Sequence, residues 1–442
     1  MTKKLIVLMT ALMLISKAFA SMAELALVSI SVSNHPKVVE KANEITLKGI
    51  SVDQILAEDG LKINLSTKSK ISIKDNIATG SINQSDDLDR EFLDGVITFN
   101  KNLYDFGVVA FKTDAEVLRK EALKLEYYQS FSTILSKLLN TVNDVTRIEK
   151  SLLGLREDIS IANKSIDEIK LRFTSGIGTI MDVRQAQLSL LDLQTESQTL
   201  EKEKTAKATI LRNEFNLQGN DFNAVSQIIL QFNQQLNDNQ QSIKFVIDQS
   251  IQYQRSTQII NYEKSALRSQ IKSLKSENMP QLSASITGVV YDLTRDASEY
   301  EVYGGVNLTM PLFDSDLSQV KQRGLTYRVK VQNDIMRALD QDKLLALNKL
   351  TKKYQSLQIE KLSTRKKVVN LTEKLSQIMQ RSAVADEGLL TKFQTQLQLG
   401  KAQRDLLSYP YFEQSMSIDY WTLNEQLMEK INIRPIKLTF VQ

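Results

Sequence analysis

Two hydrophobic periods divide this chain. Over residues 21–56 the apolar positions follow helical spacing, with His35-Pro36 as a turn ahead of Val38, Val39, Ala42 and Ile45. From Leu61 the period becomes two: Leu61, Ile63, Leu65, Thr67, Ser69, Ile71 and Ile73 alternate with Lys62, Asn64, Ser66, Lys68, Lys70, Ser72 and Lys74. Alternation predicts a half-exposed strand, and this run suits a tilted membrane strand of roughly 9–11 residues with an extension. A polar loop, Asn76 to Asp89, leads to a second alternating run of Leu93, Gly95, Ile97, Phe99 and Leu103. The two runs predict a hairpin over about 61–104.

Heptads follow. Leu138, Val145, Leu152, Ile159, Ile166 and Phe173 fall seven apart, and Thr141, Ile148, Leu155, Ala162 and Ile169 fill the interleaved seam, with Gly154 off it. This a/d pattern predicts one coiled-coil helix over 108–173, roughly 100 Å long at about 1.5 Å per residue. The stretch Arg172–Gln187, RFTSGIGTIMDVRQAQ, interrupts it with a tip over 174–181. Val183, Ala186, Leu190, Leu193 and Leu200 then carry a return helix over 182–217. Residues 218–242, rich in Gln and Asn, read as a polar connector.

Beyond the connector the order recurs. A helical stretch from Ile243 to Asn278 stops at Pro280; Leu282, Ala284, Ile286, Gly288 and Val290 alternate, as do Tyr300, Val302, Gly304, Val306, Leu308 and Met310. This is a second hairpin over about 282–313. A long helix over 315–384 has its seam at Leu347, Leu350, Tyr354, Leu357, Val368, Leu371, Leu375 and Ile378, with Lys361 and Thr364 as a polar break. The chain therefore reads as two repeats, 21–217 and 243–442. Leu103-Tyr104-Asp105 matches Leu312-Phe313-Asp314 at an offset of 209, which places a second tip near 385–390 at Gly388 in preference to Gly400. A return helix then runs to about 430.

Composition narrows the setting. Lys3 and Lys4 precede the apolar run Leu5–Ile15 and the small-residue site Ala18-Phe19-Ala20, so residues 1–20 read as a signal peptide. Without Lys3, Lys4 and Lys17 the formal charge falls from +4 to +1, and basicity gives no argument for nucleic acid. The absence of cysteine excludes disulfides, thiolate metal sites and a lipidated N-terminal Cys. After the leader no apolar stretch reaches 18 residues, so a membrane crossing has to be a closed β-barrel, in which every backbone group is paired.

Three motifs in this order resemble the TolC-like outer-membrane efflux and secretion channels: the tip Arg172-Phe173, Gly176, Thr179, Asp182-Val183 and Ala186-Gln187; the strand exits Leu103–Gly107 and Pro311–Asp314; and Met279-Pro280-Gln281-Leu282 entering a strand. The resemblance covers essentially the whole chain after residue 20. It implies a mixed α/β membrane protein of the Gram-negative outer membrane: a homotrimer whose protomers each give four strands to a 12-stranded transmembrane β-barrel continued by an α-helical coiled-coil periplasmic tunnel. It also implies a passive exit duct, closed at its periplasmic tip until an adaptor protein docks there, working with an inner-membrane transporter of RND or ABC type and needing no cofactor. The second tip departs from the family pattern, with an acidic pair before its glycine and Tyr409-Pro410-Tyr411 downstream. The competing reading is a soluble periplasmic coiled-coil adaptor or scaffold.

The candidate residues follow. Gly176, Ile177, Gly178 and Gly388 form short knobs suited to an adaptor's groove. Asp182, Asp386 and Glu387, repeated around an axis, form an acidic constriction that favours cations; Asp182 also suits the N-terminus of the return helix. Tyr291, Tyr300 and Tyr303 suit an interfacial aromatic girdle. His35, the only histidine, has no partner of the kind a catalytic pair or metal site needs, and no motif in the chain suggests an enzyme.

Overall fold

A computed structural model describes residues 23–70, 92–238, 254–291, 293, 299–382 and 388–436. The expected leader, the loop from Asn76 to Asp89, and the pair Asp386-Glu387 lie outside these residues. In chain order the elements are α1 (23–33), α2 (Pro36–Glu58), β1 (Lys62–Lys70), β2 (Phe92–Tyr104), α3 (Val108–Thr174), α4 (Ile180–Phe215) and α5 (Asn220–Asp238). They continue with α6 (Gln254–Glu277), β3 (Gln281–Val290), β4 (Tyr300–Thr309), α7 (Leu317–Ser382), α8 (Leu389–Leu423) and α9 (Leu427–Ile431). Contacts divide the chain into two compact units: Asn43–Lys124 with Thr257–Arg337, and Met1–Ala42 with Leu125–Ser256 and Ala338–Gln442.

The first of these units carries one antiparallel sheet in the order β1-β2-β3-β4. Its ladders are regular apart from one shift between Asn102 and Tyr104. Both strand exits solve the same local problem. After β2, Asp105 accepts hydrogen bonds from the N–H groups of Gly107 (2.9 Å) and Val109 (2.7 Å) at the start of α3. After β4, Asp314 accepts from the N–H of Ser318 (2.9 Å) and from its hydroxyl, at the start of α7. In each exit two left-handed residues follow the aspartate, Phe106-Gly107 and Ser315-Asp316. A helix begins with N–H groups that have no partner within it, and a preceding carboxylate satisfies them.

In the other unit the heptad seam of α3 is the core: Leu138, Val145, Leu152, Leu155, Ala162 and Ile166 are buried. α7 is covered far less, with only Leu350, Leu357 and Leu371 of its seam buried. Its polar break is met from α8, where Glu413 accepts from Lys361 (2.8 Å) and Tyr409 shares a hydroxyl hydrogen bond with Thr364 (2.9 Å).

One expectation is corrected here. Residues 220–238 are helix α5, within the span read as a connector, because Val225, Ile228, Ile229 and Phe232 sit at i, i+3, i+4 and i+7 and are all buried. Gln- and Asn-rich composition concealed an ordinary amphipathic stripe. α8 also runs unbroken through both Gly400 and Pro410.

Candidate functional site

The sheet is two-faced by register. Leu65 pairs with Ile97, Ile97 with Gly288 and Gly288 with Val302; one step along, Ile63 pairs with Phe99, Phe99 with Ile286 and Ile286 with Gly304. Residues directly opposite in a ladder share a face. One face therefore collects Ile63, Leu65, Ile97, Ile286, Val302, Val306 and Leu308, every one exposed. The other collects Lys62, Asn64, Ser66, Asn100, Thr98, Ser285 and Thr287 by the same pairings. Glycine on the apolar face is placed by contact, since a Cβ at Gly288 would stand 3.3 Å from Ile97 Cγ2. Register also separates two tyrosines grouped by sequence: Tyr300 pairs with Val290 on the apolar side, Tyr303 with Thr287 on the polar side. No helix among the described residues is long and apolar enough to cross a membrane.

The turn between α3 and α4 is a Schellman ending. Ile177 N–H donates to Arg172 C=O (3.0 Å), Gly176 N–H donates to Phe173 C=O (3.0 Å), and Gly176 has φ +79°. Gly178 is small for a different reason, as a Cβ there would lie 3.3 Å from the Phe173 nitrogen. Thr179 then caps α4. Its hydroxyl oxygen accepts from Asp182 N–H (3.2 Å), while Asp182 Oδ2 accepts from Thr179 N–H (3.1 Å) and from its hydroxyl (2.8 Å). Asp182 is thus the third helical residue of a capping box, and Thr179 is the cap. Leu171, Ile177 and Met181 are 69%, 61% and 65% exposed, so the tip ends in an uncovered apolar cap.

Gly388, at φ +111°, immediately precedes α8, and no side chain caps that helix. Phe393, one turn further, is buried against Leu155, Ala162, Ile166, Ile169, Val183, Ala186 and Leu193, with Leu389 and Leu390 packed beside it. The start of α8 is therefore seated on the seam that joins α3 to α4. His35 is buried between α1 and α2 with its Nδ1 accepting from Lys37 N–H (3.2 Å), its Nε2 3.6 Å from Glu214 and its ring on Phe215. No cluster of three metal-ligating side chains is found among the described residues.

No family model and no curated protein sequence matches the chain. Solved structures do. The outer membrane protein VceC of Vibrio cholerae is 14% identical, with 94% of this chain and 97% of that one covered at a TM-score of 0.69. The CmeC outer membrane channel of Campylobacter jejuni is 10% identical, with 91% and 86% covered at 0.70. The open state of the Neisseria gonorrhoeae MtrE outer membrane channel is 10% identical, with 91% and 89% covered at 0.64. The chain has the fold of these outer-membrane channels. At such identities the likeness concerns fold, and it extends along nearly the full length of each chain. Residue roles at the tips rest on the geometry above.

Proposed function

We propose that the protein is a passive exit channel of a Gram-negative outer membrane, opened at its helical tips by a periplasmic adaptor. The observation that carries this reading is the register of the sheet, which gathers Ile63, Leu65, Ile97, Ile286, Val302, Val306 and Leu308 on one exposed face and, among the described residues, leaves β1 and β4 unpaired on their outer edges. An uncovered apolar face of that extent needs lipid or protein against it, and open ladders are not tolerated in lipid. Three copies contributing four strands each close a 12-stranded barrel with the apolar face outward and an aqueous lumen within. The helices α3, α4, α7 and α8 of each copy then form the tunnel, in two structural repeats.

Such a duct supplies no energy. An inner-membrane transporter of RND or ABC type drives export, in a tripartite efflux pump or a type I secretion system, and an adaptor docks on the knobs at Gly176, Ile177, Gly178 and Gly388. Asp182, Asp386 and Glu387 supply negative charge at the constriction.

Membrane fractionation and heating test the reading. A barrel oligomer partitions with outer membranes and runs as a heat-modifiable species, whereas recovery as a soluble monomer favours the periplasmic scaffold and ends the channel reading. For the constriction, Asp182→Ala combined with Asp386→Ala and Glu387→Ala raises conductance or weakens cation preference in planar bilayers. Unchanged conductance and selectivity place the constriction elsewhere.

A further inference from the structure

Beside the strand ends, within the sheet-bearing unit, the first turns of α3, the last turns of α6 and the first turns of α7 surround an open cavity of about 480 Å³. Three cations, Lys112, Lys321 and Arg328, line it against one carboxylate, Glu277. Lys112 is paired with Glu277 (2.8 Å), whereas Lys321 and Arg328 make no ion pair among the described residues. The bias extends along α7: from Leu317 to Gln332 the chain carries Lys321, Arg323, Arg328 and Lys330 and no acidic residue. Leu274 and Leu325 give the wall its apolar part, beside the uncharged Gln270 and Ser273.

Gly324 opens the cavity. It lies inside α7, where glycine costs about 1 kcal/mol relative to alanine, yet a Cβ there would meet nothing within 4 Å. No neighbour requires the side chain to be missing, and the space left is the cavity's own. The exposed apolar stripe of the same helix, Val320, Tyr327 and Val331, runs past Gly324, which is four residues from Val320 and three from Tyr327, with Lys321 and Arg328 roughly a quarter turn round at about 100° per residue.

We infer that this cavity binds the headgroup of an anionic phospholipid, with Lys321 and Arg328 on the phosphate oxygens and Leu274 and Leu325 against the glycerol carbons. The inference rests on the sheet being the membrane-spanning part. In that case the strand exits mark the headgroup layer, and the cavity walls begin within a few residues of them: Lys112 follows β2 by eight residues and Glu277 precedes β3 by four. Leu312 and Phe313, in the exit before α7, are 91% and 86% exposed and mark the same boundary with apolar surface. Two cations that make no ion pair among the described residues, set beside two leucines, complement a phosphate diester and its glycerol carbons through charge-assisted hydrogen bonds.

The test uses the full chain, purified in detergent and reconstituted into nanodiscs of equal phosphatidylglycerol and phosphatidylcholine, with retained lipid counted by native mass spectrometry. The wild-type protein retains phosphatidylglycerol about thirtyfold over phosphatidylcholine, as expected for two basic contacts at about 1 kcal/mol each. Lys321→Gln with Arg328→Gln abolishes the preference, and so does Gly324→Leu, which fills the cavity while keeping every charge. Equal retention of the two lipids by the wild type, or an unchanged preference in both variants, overturns the inference. Displacement of the lipid by excess inorganic phosphate overturns it too, because the site then takes a free anion. A heat-modifiable outer-membrane oligomer without lipid preference fails this inference alone; a soluble monomer fails the channel reading.

Discussion

Gly154 of α3 lies under the side chain of Arg404 of α8, so close that a Cβ at 154 would stand 2.9 Å from Arg404 Cγ. The relationship is reciprocal. One turn on from each residue, Asp158 of α3 lies over Gly400 of α8, where a Cβ would collide with its carboxylate, and Asp158 is ion-paired with Arg404. Each helix carries a notch that admits the other's charge, and Arg404 and Asp158 are each only 6% exposed.

Alanine substitutions at two helical glycines should therefore act in opposite directions. At Gly324 the space is open, and alanine raises the melting temperature through helix propensity worth up to about 1 kcal/mol. At Gly400 the same propensity gain is outweighed by displacement of Asp158, and melting falls. Thermal unfolding of the two single variants in one detergent checks the signs.

Arg404→Met leaves Asp158 buried without its partner and should destabilise by about 3–5 kcal/mol, the range for breaking a buried pair. Adding Asp158→Leu removes the stranded charge and restores most of the loss. Glu196, 3.3 Å from Arg404, loses the same partner but is partly exposed and stays hydrated. A double-mutant cycle in denaturant measures the coupling, and additive single effects would show that the pair is not a unit.

Two acid-side losses of stability are expected, in separate windows. Burial holds the His35 imidazole below its ordinary 6.5 despite the nearby Glu214 carboxylate. As pH falls below about 6.5, the unfolded chain takes up a proton that the folded chain refuses, so stability declines until the lower, folded value is reached. Burial pushes Glu425 upward, but hydrogen bonds from Ser256 and attraction to Lys343 hold it below 4.5. Its contribution is complete above about 4.5 and is lost as pH drops through the folded value. His35→Asn, which keeps an acceptor for Lys37 N–H, flattens the melting profile just below pH 6.5, whereas Glu425→Gln leaves that limb intact and alters the one below 4.5.

At the α3–α4 turn the effects should stay local. Gly176→Ala forces a Cβ into the left-handed region at φ +79° and costs about 1 kcal/mol, whereas Gly176→Asn is tolerated better. Asp182→Ala removes one half of the capping box and costs about as much. Hydrogen exchange at residues 175–185 should rise in both variants with global melting unchanged; a large global shift would mean that the tip is part of the cooperative core.

What the sequence made legible was periodicity. Within the described residues the period-two runs fall on the four strands, and most of the α3 heptad positions lie on its buried seam, because each pattern follows from one face meeting an apolar neighbour. Where composition took the place of period, as at α5, a helix was missed. Gly154 and Gly400 were legible as glycines but not as notches, since their reason lies on another helix hundreds of residues away. Asp105 and Asp314 stood out as an offset match, yet their shared task of capping the next helix appeared only with the hydrogen bonds. At the tip, a carboxylate six residues after Gly176 gave no sign of whether it faces a lumen or its own backbone.

On the proposed barrel reading, the outer edges of β1 and β4 also bear on how fast a channel can appear. The two strands are unlike, so one copy's β1 has to meet the next copy's β4, and assembly is polar addition that ends when the ring closes. Before closure every intermediate carries two unsatisfied ladders that lipid rejects. Insertion and oligomerisation then become one kinetic event, with a rate that rises more steeply than the first power of chain concentration. A copy with its β4 edge blocked but β1 intact acts as a chain terminator, removing sound copies from the pool along with itself.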